Sequence, residues 1–175
     1  MRIIETEAYQ FDELSDTAKE KARDWWKEGN DYPFLSEEME ETAIDLLLKY
    51  KIKDASDLKV YYSLSYCQGD GAMVEFVADW KAWRVTVKQY GHYSHERSTT
   101  IELTSNKTGE YAPAETETDF EENVYIPMCL ELKKYGYDFI DTENEDEYVD
   151  ENILANEYEF HAEGARIWKW TPFIL

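Results

Sequence analysis

Cations are scarce in this chain: 18 Lys and Arg stand against 39 Asp and Glu over 175 residues, a formal net charge of −21. Nucleic acid is held by clustered Lys and Arg that displace counterions from phosphates. The shortage therefore argues against direct nucleic-acid binding and against attraction to an anionic membrane surface. Cysteine is nearly absent too: Cys67 and Cys129 lie far apart and show no paired ligand spacing. They predict free thiols in a reducing compartment. Long apolar runs are missing, and the longest falls far short of the roughly 20 residues that span a bilayer. Met1 to Gln10 contains Glu5 and Glu7 and no apolar h-region, unlike a signal peptide, so a cytoplasmic location is expected. There is no Gly-rich phosphate loop, no nucleophile elbow, no His-Glu-x-x-His helix and no internal repeat. An enzyme is not expected, and no cofactor is implied.

What remains is a folded protein with a negative coat. Aromatic residues make up 15% of the chain, with 14 Tyr and 6 Trp, whereas acidic disordered chains are poor in aromatics. At this length one core and a single domain over residues 1–175 are expected. The natural partner of such a surface is a basic protein or nucleoprotein complex, since opposite charge speeds encounter.

Periodicity divides the chain. Residues 2 to 11 read as a short strand. Ser15 offers an N-cap to a helix with Ala18, Ala22, Trp25 and Trp26 on one stripe, ended by Gly29-Asn30. A second helix starts near Ser36, burying Met39, Ala43, Leu46, Leu47 and Tyr50. From Leu58 the period becomes two, and residues 58 to 104 predict an antiparallel meander whose first hairpin turns at Gln68-Gly69-Asp70-Gly71. Residues 105 to 118 read as a loop. Asp119 begins a helix with Pro127 predicting a kink or late start, and Thr142 with Glu145 gives a capping-box signature for a helix through about Ala155. Tyr158 to Trp170 alternates weakly, as an edge strand would. The fold class expected is α+β, a four- to six-stranded antiparallel sheet with helices on one face.

Four ordered stretches carry a resemblance. They are Phe11-Asp12-Glu13-Leu14-Ser15-Asp16 with Ala18-Lys19-Glu20-Lys21-Ala22-Arg23 and the Trp pair; Gln68-Gly69-Asp70-Gly71-Ala72; Gly91-His92-Tyr93-Ser94-His95; and Ala155-Asn156-Glu157-Tyr158-Glu159-Phe160. With them the chain resembles a family spread through bacteriophage and prophage genomes, labelled as phage hypothetical proteins or as antitoxin-like members of toxin-antitoxin stability systems. The resemblance implies a mobile-element origin and an accessory role against host defence, inside the host bacterial cell.

Two sets of candidate residues follow. The acidic runs, above all Glu37, Glu38, Glu41 and Asp45 and then Glu143, Glu145, Asp146, Glu147 and Asp150, are the candidate partner-binding face; lined up at phosphate-like spacing, they would imitate nucleic acid. The leading expectation is a stoichiometric inhibitor of a host defence complex such as CRISPR-Cas or restriction machinery. The alternative is a small-ligand pocket built from Ser65, Gln68, Asp70, His92, His95 and Arg97, sequestering a nucleotide immune signal if Arg84, Lys88 and Arg97 cluster. A toxin-neutralising role is the third reading. His92 and His95 are spaced as a ligand pair, but no metal is expected, because nothing in the spacing supplies further ligands.

Overall fold

The computed structural model describes residues 6–168. The chain divides into two compact units, residues 34–139 and residues 1–33 with 140–175. Each has its own reasons for folding.

In the 34–139 unit the period-two segments form a four-stranded antiparallel sheet in the order β1-β2-β3-β4: β1 (Ile52–Ser63), β2 (Gly71–Trp80), β3 (Trp83–Gln89) and β4 (Thr99–Ser105). Val74, Phe76, Ala78 and Trp80 on β2 are buried, as are Val85 and Val87 on β3 and Leu103 on β4. Against them pack α2 (Leu35–Lys49), α3 (Ala114–Phe120) and α4 (Ile126–Glu143). Phe120 meets the Trp80 ring edge-on at 5.1 Å. The buried Tyr125 hydroxyl donates to the Val74 carbonyl at 3.1 Å and accepts the Val74 amide at 3.2 Å. Gly136 sits where a Cβ would lie 2.5 Å from Leu64 and 2.9 Å from Met39 Sδ, so its missing side chain lets α4 close on its neighbours. The α+β architecture matches the expectation.

Several boundaries differ. β1 begins at Ile52, not Leu58, because Asp54 and Asp57 take positive φ (51° and 54°) at two register shifts. Such bulges interrupt the alternation that would reveal the strand. β1 ends at Ser63, leaving Tyr66 in the hairpin loop. The segment 105–118 is not all loop, since α3 starts at Ala114. Between α3 and α4 lies a π-helical turn, Glu121–Tyr125, in which the Ile126 amide reaches the Glu121 carbonyl. Pro127, which has no N–H to give, follows within the first turn of α4, so the helix widens before it rather than kinking at it.

In the other unit Ser15 caps α1 (Asp16–Gly29) by accepting the Ala18 amide at 3.4 Å. Ala18 and Ala22 face Val149 and Ile153 of α5 (Asp146–Ala155), and Phe11, Leu14 and Phe160 complete a core bordered by Tyr9, Trp25, Trp26 and Tyr158. Arg23 clamps Asp150 in a fork at 2.6 and 2.7 Å. Residues 6–10 are not a strand: Tyr9 makes one bridge, to Phe160, and Phe11–Glu13 is a 3-10 turn; residues 2–5 of the expected strand lie outside the described residues. The capping box does not form, because Thr142 is still inside α4 and Glu145 is itself the α5 N-cap without a side-chain bond. The tail contributes isolated bridges at Phe160 and Arg166 instead of an edge strand; Lys169 and Trp170 lie outside the described residues.

Candidate functional site: the outer face of α2 and the Asp70 loop

The buried stripe of α2, Leu35, Met39, Ala43, Leu46 and Leu47, leaves an opposite face exposed. At about 100° per residue, Phe34, Ile44 and Leu48 fall along its centre, exposed by 61%, 48% and 65%. Glu37 and Glu41 fall between them on the same face, and Glu40 and Asp45 lie at its sides, all exposed. None of these four carboxylates has an ion-pair or hydrogen-bond partner among the described residues. Glu38 is half-buried and accepts the Tyr135 hydroxyl at 2.6 Å; that bond and burial raise the Tyr135 pKa. Large apolar side chains left exposed together on one helix face mark a candidate protein-interaction surface.

The second acidic run behaves differently. Asp146 pairs with Lys27 at 2.9 Å and Arg23 at 3.3 Å, and Asp150 with Arg23. Glu143 is 93% buried, accepting Asn30 and Tyr148 at 3.1 Å each. Three of the five expected face residues around α5 therefore serve internal contacts, and Glu145 and Glu147 alone remain exposed without an ion-pair partner among the described residues. The sequence could not separate these cases, because pairing depends on cations more than 100 positions away.

At the hairpin end Asp70 is 3% exposed, with its carboxylate turned into its own loop. It accepts the Ser65 amide at 2.7 Å, the Cys67 amide at 3.0 Å, the Ser63 hydroxyl and the Cys67 thiol at 3.2 Å, and the Tyr137 hydroxyl. Lys133 donates to the Asp70 carbonyl at 2.7 Å. The Tyr137 bond, helped by the two amides, holds the carboxyl well below its ordinary range, while burial and Asp70 push Tyr137 up to about 12. A carboxylate held so far from neutrality anchors a loop and does not shuttle protons.

The two loops singled out in the sequence do meet. A Cβ on Gly71 would lie 2.5 Å from the Ser94 carbonyl and 2.9 Å from His95 Cα. His95 Nδ1 lies 3.2 Å from the Glu96 carboxylate and 3.3 Å from the Arg97 amide nitrogen. Gln68 and His92 are exposed without a hydrogen bond among the described residues. Arg97 is paired with Glu122 at 3.2 Å and Arg84 with Asp79 at 3.1 Å, so two of the three cations that a nucleotide pocket here requires are occupied separately. Among the described residues no group of three or more His, Cys, Asp or Glu is placed to hold a metal.

The chain matches no family model, no curated protein and no solved structure. No helix among the described residues is long and apolar enough to cross a membrane.

The thiols make a separate test of the loop. Cys129 is buried, which pushes its pKa up to about 12, and exposed Cys67 is raised by its bond to Asp70. The thiolate is the reactive form. Titration with a thiol reagent at neutral pH will show Cys67 reacting more slowly than a free cysteine and Cys129 only after denaturation. Two equally fast thiols in the native protein would contradict the geometry.

Proposed function

We propose that the protein acts by stoichiometric binding, presenting the outer face of α2 to a cationic, partly apolar surface of a nucleic-acid-handling protein. The four exposed carboxylates from Glu37 to Asp45 span about 12 Å of helix. That is about one charge per 4 Å, against about one per 1.7 Å along a DNA duplex. This row of exposed carboxylates without partners among the described residues, set among the exposed Phe34, Ile44 and Leu48, carries the reading. With the phage resemblance it supports an inhibitor of a host defence complex, CRISPR-Cas or restriction machinery, that competes with nucleic acid for a basic groove. The small-ligand alternative at the hairpin loop has weaker support, since Asp70 spends its acceptors on its own chain.

The test is competition. A panel of purified effector complexes and restriction enzymes is incubated with the protein, and displacement of bound DNA is followed at stepped salt. For a responsive target, affinity falls steeply between low and physiological salt. Combining Glu37→Lys, Glu41→Lys and Asp45→Lys weakens binding by at least about 100-fold, because like charges then face each other. Displacement that ignores both salt and these substitutions would remove the α2 face from the account.

A further inference from the structure

We propose that the 1–33/140–175 unit carries a second binding site, centred on Arg166, for a small anion bearing a flat ring, of the nucleoside monophosphate class. The Arg166 guanidinium lies against three rings, its carbon 4.7 Å from the centre of Trp25, 4.3 Å from Tyr158 and 4.2 Å from Trp168. Ring contacts leave a guanidinium's N–H groups without a hydrogen-bond acceptor, so they can still be given to an anion. In a chain so rich in carboxylates, Arg166 has no carboxylate partner among the described residues. Arg23 and Lys27 of the same unit are by contrast committed to Asp150 and Asp146.

Arg166 shares the wall of a cavity of about 430 Å³ with Lys21, Trp25, Glu163 and Trp168. Lys21 is likewise without an ion pair among the described residues, and neither cation reaches Glu163 within ion-pair distance. A second cavity, of about 220 Å³, adjoins the same guanidinium and is walled by Trp25, Trp26, Asn30 and Tyr158. The indole N–H of Trp26 is buried with no hydrogen-bond partner among the described residues. Buried donors are nearly always satisfied, so an orphan calls for an explanation.

Two unpaired cations and an unsatisfied donor around concave aromatic walls ask for an acceptor-rich, negatively charged ligand. The ring component follows from Trp168, 67% exposed with Arg166 within 4.2 Å of its ring centre, which offers a platform for a planar base. The larger cavity falls in the volume range of small-molecule sites. A long polyanion is disfavoured by the overall charge of −21, whereas a mononucleotide feels mainly the groups within about one Debye length of it.

Tryptophan fluorescence of the full chain, titrated with AMP, GMP, CMP and UMP, and separately with adenosine and inorganic phosphate, tests the site. Saturable quenching is expected for at least one nucleotide, with adenosine and phosphate each at least roughly tenfold weaker, because each supplies one half of the recognition. R166Q should weaken binding by roughly tenfold or more and K21Q by a few-fold, while E163Q, which removes a repelling charge, should tighten it by a few-fold. Lys21 and Glu163 are exposed and outside the core, so their variants keep the test valid if R166Q disturbs the ring stack. No saturable signal up to about 5 mM of any nucleotide, or affinities unchanged in K21Q and E163Q, would overturn the proposal.

Discussion

Alanine at position 164 will destabilise the protein by about 3 kcal/mol or more, the sum of a strained backbone and an overfilled contact. Gly164 is buried at φ +89°, and a Cβ there would stand 2.9 Å from the carbonyl carbon of Ala18 and 3.0 Å from its Cα, with the carbonyl oxygen nearer still. The obstacle is helix backbone from α1, not a side chain that can swing aside. Urea unfolding of Gly164→Ala beside Gly29→Ala measures the effect. Gly29 ends α1 with nothing within 4 Å of its would-be Cβ, so its alanine variant should sit near or slightly above the parent, because alanine has less backbone freedom to lose on folding. Equal midpoints for the two variants would mean that the close approach at Ala18 is not present in solution.

Asp70→Ala is expected to lower the melting temperature by on the order of 10 °C. The carboxylate accepts two backbone amides, two side-chain groups from its own loop and the Tyr137 hydroxyl, and removing it leaves those donors without an acceptor in a partly closed site. Asp70→Asn keeps the shape but loses the charge, and it should fall between the parent and alanine. A pH dependence follows from the same bonds. Because the folded-state pKa lies below the ordinary value of 3.8, the stabilisation is fully present above about pH 4 and is lost as pH falls through the lower folded value. Thermal melts from pH 6 down to about pH 2 should therefore show a larger acid loss in the parent than in Asp70→Asn. Parallel curves would assign the acid sensitivity to other carboxylates.

The features legible in the sequence are those written in neighbouring residues. Ser15 before a stripe of Ala18, Ala22, Trp25 and Trp26 located α1, and the alternation through Val74, Phe76, Ala78 and Trp80 located β2 and its face. What could not be read depends on partners distant in sequence. Asp-Gly at 70–71 looks like a hairpin turn because both residues suit turns, yet the positive φ angles fall at Tyr66 and Gly69, and the aspartate is an anchor whose main partner is 67 positions away. The acidic runs are plain as composition, but whether a carboxylate has no ion-pair partner among the described residues, as Glu37, or is clamped, as Asp150 by Arg23, depends on where distant cations come to lie. Arg166 offered no local signal at all, since a single arginine in a weakly alternating tail becomes notable only beside its three rings.

The unit that joins the two ends of the sequence also constrains the order of events during synthesis. Helix α1 leaves the ribosome with Ala18, Ala22 and Trp25 uncovered, and the residues that bury them, Val149, Ile153 and Phe160, are made more than a hundred residues later. Residues 34–139 have their own core and can form it first, since domains generally fold as units as they emerge. The amphipathic first helix must wait, exposed to chaperones and to other nascent chains, until the final stretch closes over it.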